Sequence, residues 1–425
     1  MNSNEIYVSL DIGTSNVRII IGEMANGSLN IIGVGNASSE GIKKGSIVDI
    51  DETVQSIRRA VEEAERMIGL SINQVIVGVN GNHVQLQPCH GVVAVSSSDR
   101  EIGDEDIGRV IDAAQVVSIP PEREIIDVIP KQFIVDGLEE INDPRGMIGV
   151  RLEMEGTIIT GSKTILHNLL RCVERAGLQI ADICLQPLAA GAVAISKDEK
   201  GLGVALVDIG GGSVTVSVFE HGVLQATSVL PIGGDHITND ISVGLKTTTE
   251  EAERIKRKHG HAYIDEASDE ETFTVTTIGS NEDETFSQFE LAHIIEPRME
   301  EIIELIENEI RRLGYDNLPG GYVLTGGSVM IPGVLELAKE ILESNVRVAI
   351  PDYIGVREPQ YTTGVGLIQF AYRNVKIQGK EVASSVSSAE EVEKPVNKQE
   401  NEEKKSKEDP GIKKKMKKWL KVFFE

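Results

Sequence analysis

Asp208-Ile209-Gly210-Gly211-Gly212-Ser213 lies between two apolar runs. Val204-Ala205-Leu206-Val207 before it reads as a fully buried strand, and Val214-Thr215-Val216-Ser217-Val218 after it alternates like a half-buried one. The stretch is therefore predicted to be the tight turn of a hairpin. Successive glycines carry no Cβ, so backbone N–H groups can close on a ligand. The aspartate at the strand end sets a carboxylate beside those donors, which makes chemical sense with Mg²⁺ between carboxylate and phosphate. Taken alone, the loop reads equally well as an ordinary Gly-rich turn whose Asp bonds its own backbone.

The loop has a counterpart. Val8-Ser9-Leu10-Asp11-Ile12-Gly13-Thr14-Ser15-Asn16-Val17-Arg18 aligns with it, Asp11 on Asp208, Gly13 on Gly210 and Val17 on Val214. Each loop is followed by a second turn, Asn26-Gly27 or His221-Gly222, and a third strand, 30–34 or 223–230. A long helical segment comes next, 51–68 or 235–259, and later an apolar strand ending in glycine, at 75–81 and 322–327. Two similar halves imply two lobes facing one cleft, with an Asp-headed hairpin from each clamping a polyphosphate.

The chain has 425 residues, enough for several cores, and a formal net charge of −25. That charge argues against nucleic-acid binding and requires any contact with anionic lipid to be local. Cys89, Cys172 and Cys184 show no metal-ligand or disulfide spacing and suit a reduced cytosol. No apolar run is long enough to span a bilayer, and no signal peptide is expected.

In chain order, 51–68 is an amphipathic helix with Val54, Ile57, Val61, Ala64 and Ile68 on one face. From 82 to 161 the pattern changes to short strands (90–95, 124–135, 151–160) and one helix (103–117), an inserted small α+β subdomain. A helix at 164–176, a strand at 178–184 and a helix from Pro187 to Ile195 follow, which leaves Gln186 at a strand end. Thr249 is the expected N-cap of a helix on which Glu253, Lys256 and Arg257 share a face. They could hold a ribose and a base edge, or form a solvated charged face. A Glu-rich helix at 289–313, the strand at 322–325 and a helix at 334–342 complete the second half.

Asp11-Ile12-Gly13-Thr14-Ser15, Gln186-Pro187-Leu188-Ala189, Asp208-Ile209-Gly210-Gly211-Gly212 and Leu324-Thr325-Gly326-Gly327-Ser328 resemble, in order and spacing, the nucleotide elements of the actin, heat-shock chaperone and sugar kinase superfamily. The resemblance implies a two-lobed actin-like α/β fold, a duplicated ribonuclease H-like unit, with ATP and Mg²⁺ between the lobes. Asp11 and Asp208 would hold the metal through water, and Gln186 would orient the attacking water. Gly13, Thr14, Ser15, Asn16, Gly210, Gly211, Gly212, Ser213 and Gly234 would surround the phosphates. Glu253, Lys256 and Arg257, with Gly326, Gly327 and Ser328, would hold the adenosine. A glutamine orients water but cannot act as a base, so any hydrolysis is expected to be slow, as suits an assembly switch.

Residues 380–410 hold six lysines and nine acidic residues and no aromatics, the composition of a disordered linker. In 411–425, Ile412, Met416, Trp419, Leu420 and Phe423 fall on one helical stripe, with Phe424 beside it. Lys413, Lys414, Lys417, Lys418 and Lys421 occupy most of the remainder. An acidic chain that carries such a segment reads as having an interfacial membrane helix, the other reading being a partner-binding basic helix.

An actin-like core with an inserted subdomain, a linker and this helix resembles the FtsA family of bacterial cell-division proteins. The resemblance divides the chain into a first lobe (1–81 and 162–202), the insert (82–161), a second-lobe core (203–246 and 313–379), its outer subdomain (247–312), the linker (380–410) and the helix (411–425). It implies self-association into filaments at the cytoplasmic membrane face of the division septum. It also implies binding of the FtsZ C-terminal tail through the outer subdomain, and contact of other divisome proteins with the insert. A pilus-assembly ATPase of the PilM type and a sugar-kinase-like enzyme are the alternatives.

Overall fold

The structure, a computed structural model, describes residues 5–43, 45–279, 283–378 and 386–387. The anchor expected at 411–425 and nearly all of the linker lie outside these residues. The exception is Val386–Ser387, which pairs antiparallel with Ser71–Ile72, so two residues of the expected linker join a short ladder.

Two five-stranded sheets share one topology. In the first, Ser28–Ser38, Asn16–Ala25 and Glu5–Ile12 form an antiparallel meander, and Gln74–Val79 and Gln179–Leu185 add in parallel beside Glu5–Ile12. In the second, the meander is Val223–Leu230, Val214–Glu220 and Val204–Ile209, extended in parallel by Tyr322–Thr325 and Val346–Val348. The second turns also match. Asn26 and Gly27 have φ of 53° and 81°, and His221 and Gly222 have 54° and 82°. Positive φ at both central residues marks the type I′ turn, whose twist matches that of the flanking strands.

Several of the helices that cover the sheets present an apolar stripe. Ile50–Ile68 starts at Asp49, whose side chain accepts from the Glu52 N–H, and stops at Gly69 in the left-handed region. It buries Val54, Ile57, Val61 and Ala64 on the first sheet. In the second half the expected single long helix is two, Gly234–Gly244 and Thr249–His259. The N-cap of the latter is Thr248, not Thr249: the Thr248 hydroxyl accepts from the Glu251 N–H at 3.2 Å. Residues 214–218 were expected to be half-buried, yet the strand Val214–Glu220 is buried along nearly its whole length. Val214, Val216 and Val218 enter the second-lobe core, while Thr215 and Ser217 find hydroxyl or amide partners on the other face.

The insert is a four-stranded antiparallel sheet of Leu138–Ile141, Arg123–Val135, Arg151–Ser162 and Gln85–Ala94, with the helix Asp104–Ala114 packed on it. Ile107, Val110, Phe133, Leu152 and Met154 form its own core. The outer part of the second lobe combines Thr249–His259, the hairpin Thr272–Thr276 and Asp283–Ser287, and the long helix Gln288–Arg312.

The helix Thr362–Gln378 had no counterpart among the sequence expectations. Its first two turns are buried, and Val365, Leu367 and Ile368 pack with Tyr7, Ile20 and Ala189 of the first lobe. It crosses the helix Gln186–Ala194 at Gly366, where a Cβ would overlap the Ala189 carbonyl. Only glycine allows two helix backbones to approach so closely.

Candidate functional site

Both hairpin turns point into the same cleft, and both close the same way. Gly13 N donates to Asn16 O and Gly210 N to Ser213 O, each at 3.0 Å. Each turn follows a strand-terminal aspartate, and strand register decides what faces it. Arg18 is the cross-strand partner of Asp11, and Thr215 is that of Asp208. The cleft has a volume of about 310 Å³, within the range of small-ligand sites. The two turns touch across it. A Cβ at Gly211 would overlap the Ser15 hydroxyl, and one at Gly212 would overlap the Thr14 methyl. The Ser15 hydroxyl donates to Asp235 at 3.1 Å, across the lobes.

The carboxylates are crowded. Asp11 is 8 % exposed, and burial pushes its pKa up to about 6, with neighbouring Asp208 raising it and Arg18 opposing. Burial also raises Asp208, again against Arg18 and a hydroxyl hydrogen bond from Thr363 at 3.3 Å. Gln186 is the first residue of the helix Gln186–Ala194, and its Nε2 donates to Asp11 Oδ1 at 2.8 Å. The Arg18 guanidinium donates through Nη2 to Gln360 Oε1 at 2.9 Å, and Gln360 in turn bonds Glu358. Arg18 Nε is buried without a partner.

These features fit Mg²⁺ and a polyphosphate. Two carboxylates, Asp11 buried and Asp208 half-buried, share a single guanidinium, and each is driven toward protonation, the condition a divalent cation relieves. The glycine turn leaves backbone where side chains would block an approaching phosphate. Asp11 and Asp208 are the residues that would hold the metal, and Arg18 lines the cleft beside them.

Most of the expected site residues meet here. Asp11, Gly13, Thr14, Ser15, Asn16, Gln186, Asp208, Gly210, Gly211, Ser213, Glu253, Lys256, Arg257, Gly326, Gly327 and Ser328 all line the cleft. Gly212 and Gly234 do not. Gly212 packs against Thr14, and Gly234 lies behind the wall, where its carbonyl accepts from Lys256 Nζ at 3.0 Å. Lys256 itself is 7 % exposed, and its ammonium is spent on Gly234, Thr238 and Glu253. Burial opposes the charge on Glu253, but Lys256, Thr238 and Arg257 together outweigh it and hold the carboxyl below its usual range. The Lys256 ammonium thus shapes the wall, while Glu253 and Arg257, ion-paired at 2.7 Å, form its rim.

Sequence reasoning missed Arg18, Asn80, Asp235, Gln360 and Thr363, which also line the cleft. Arg18 was legible in part, because a two-residue change of register cannot move it off the Asp11 face. The others come from segments brought in only by tertiary packing.

Two lobes of one repeated sheet, an acid from each, and a shared cleft define the actin-like proteins. Solved structures of that fold superpose on the chain. A type IV pilus biogenesis complex of PilM and PilN matches at a TM-score of 0.58 and 16 % identity, covering 87 % of this chain and 98 % of the other. A double helical filament of MamK matches at 0.51 and 12 % identity, covering 87 % and 99 %. The chain belongs to the FtsA family of cell division proteins. The family model for cell division protein FtsA matches residues 205–366, and that for the SHS2 domain inserted in FtsA matches residues 81–160. Cell division protein FtsA of Bacillus subtilis (strain 168) is 66 % identical over 382 residues, 90 % of this chain and 87 % of that protein.

Proposed function

We propose that this division protein binds ATP with Mg²⁺ between its lobes, assembles into actin-like filaments, and tethers FtsZ filaments to the cytoplasmic membrane face at the septum. The observation that carries the nucleotide reading is the convergence of Asp11 and Asp208, one from each lobe, on a buried cleft with Arg18 opposite Asp11. Asp11 and Asp208 hold the metal through water. Thr14, Ser15, Gly210, Gly211 and Ser213 surround the phosphates, and Glu253, Arg257 and Gly326-Gly327-Ser328 hold the nucleoside. Gln186, bonded to Asp11, orients a water without removing its proton, so turnover is slow.

The membrane reading is supported by the basic amphipathic sequence at 411–425 on a chain of net charge −25. Among the described residues no helix is long and apolar enough to cross a membrane, which fits peripheral attachment. Assembly is supported by likeness to a protein solved as a filament. Membership of the family supports FtsZ binding, which we assign to residues 247–312, and contact with other divisome proteins, which we assign to the insert. The test is liposome pelleting of the purified protein, with and without FtsZ and ATP. Anionic vesicles should carry the protein down, and FtsZ with it. Trp419→Glu with Phe423→Glu should stay folded, bind ATP and remain in the supernatant, because charge in the apolar stripe costs several kcal/mol on the order of membrane insertion scales. Full pelleting of that double variant overturns the anchor assignment.

A further inference from the structure

Two asparagines leave the first lobe just beyond the strand Gln74–Val79 and end on the second. Asn80 Nδ2 donates to Thr215 Oγ1 at 2.6 Å. Its own Oδ1 accepts from Gly81 N at 2.8 Å, which fixes the amide's orientation. Asn82 makes a two-point contact: Nδ2 donates to Val229 O at 2.6 Å, and Oδ1 accepts from Val229 N at 2.7 Å. Val223–Leu230 is the edge strand of the second sheet, and an edge strand presents outward N–H and C=O groups. The Asn82 amide, with one donor and one acceptor side by side, completes that edge as a neighbouring strand would.

The place of these contacts gives them a role. Thr215 is the register partner of Val229 on one side and of Asp208 on the other. Asp208, Thr215 and Val229 are therefore one rung across three strands. Both asparagines grip the rung that carries the second-lobe carboxylate. On the first-lobe side, the strand they leave, Gln74–Val79, pairs directly with Glu5–Ile12, which carries Asp11.

We propose that Asn82, seconded by Asn80, is a positioning residue: a latch across the lobes that fixes the spacing of Asp11 and Asp208, and with it the grip on metal and nucleotide. This rests on the nucleotide reading for its functional half, but not for its mechanical half. Asn82 is exposed, so water competes for its bonds and the latch can open without disrupting either core. That is the behaviour required of a lobe-closing device whose two states differ by little.

The experiment uses the full chain with Asn82→Ala, and with Asn82→Asp, which keeps the acceptor and loses the donor. Spin labels on Glu62→Cys and Lys258→Cys, one per lobe, report the interlobe distance; the native cysteines are buried. Without nucleotide, Asn82→Ala should lengthen and broaden the distance distribution at an unchanged melting temperature, with Asn82→Asp intermediate. A fluorescent ATP analogue should dissociate about tenfold faster from Asn82→Ala, the loss of roughly one such contact, and more Mg²⁺ should be needed for half-saturation. An unchanged distance distribution in Asn82→Ala overturns the latch, whatever the nucleotide data. A lengthened distance with wild-type release and Mg²⁺ dependence overturns its link to the cleft. Failure of the unmodified protein to bind the analogue overturns the nucleotide reading and leaves the distance measurement to decide the latch.

Discussion

The two hairpins share topology, turn closure and an aspartate, yet they are not equivalent. The first turn, Gly13-Thr14-Ser15-Asn16, brings hydroxyls and an amide, while the second, Gly210-Gly211-Gly212-Ser213, brings almost bare backbone. The difference is forced by contact: Thr14 and Ser15 occupy the space that side chains at 211 and 212 would need. Opposite the acids the asymmetry recurs, a cation at Arg18 and a hydroxyl at Thr215. A duplicated unit has thus divided its labour, one half supplying charge and side-chain donors, the other room and backbone.

The largest effect expected from breaking this division is at Gly211. Gly211→Val drives a branched side chain into Ser15 and should weaken ATP binding by more than about 100-fold, on the order of the cost of overpacking a closed site. Ser15→Gly in the other turn removes one cleft hydroxyl, bonded to Asp235, without adding bulk, and should cost about threefold. Fluorescence titration with a labelled ATP compares them, and equal losses would erase the asymmetry.

The acids come next. Asp11 has an ordinary pKa of 3.8 and a folded value of about 6, so the folded state binds its proton more tightly than the unfolded chain. Stability from this group is therefore present at low pH and lost as pH rises from about 4 through 6. Above that window the ionised carboxylate costs about 3 kcal/mol, from some two pK units at 1.36 kcal/mol each. Asp11→Asn keeps an acceptor for Gln186 and should raise the nucleotide-free melting temperature at pH 7.5. The gain should shrink as pH falls toward 4, and Mg²⁺-dependent ATP affinity should drop. Calorimetry across pH gives the answer, and a gain constant with pH would show that Asp11 is not the titrating group.

A smaller effect belongs to Gln186→Ala, which should slow ATP hydrolysis about tenfold or more by losing water orientation, and leave affinity within about threefold. Phosphate release under saturating ATP measures it. The smallest belongs to Arg257→Ala: its guanidinium is mostly exposed and paired with Glu253, so nucleotide affinity should fall no more than about threefold, as for other surface ion pairs.

The parts of the molecule legible in the sequence are those whose signals are local. The Asp-Ile-Gly turns, the Asn26-Gly27 and His221-Gly222 hairpins and the apolar strand at 322–325 each carry their conformation in adjacent residues. The burial of Val214–Glu220 was misjudged because its polar alternates, Thr215 and Ser217, are satisfied by partners outside their own strand, Thr215 by Asn80, 135 residues away, and Ser217 by Thr227. The strand Leu138–Ile141 was overlooked although Asp136-Gly137, with φ of 47° and 87°, announces its hairpin. In the candidate site, Gln360 reaches the cleft on the segment leading into Thr362–Gln378 and Thr363 from that helix's first turn, and the buried first turns have no charged-face periodicity to mark them. Lys256 was placed on the correct face, but no spacing rule shows that its ammonium turns inward to Gly234.

That last helix has a mechanical consequence. Its first turn holds Asp208 through Thr363, its body lies against Gln186–Ala194, and the chain beyond it returns to the first lobe at Ser71–Ile72. Tension applied to the chain past residue 388 is borne first by a two-residue ladder and then by this helix. The ladder is the weakest link in series, a fuse that yields before the force reaches the cleft. Once it parts, the load passes to the helix Thr362–Gln378, whose first turn is bonded to Asp208.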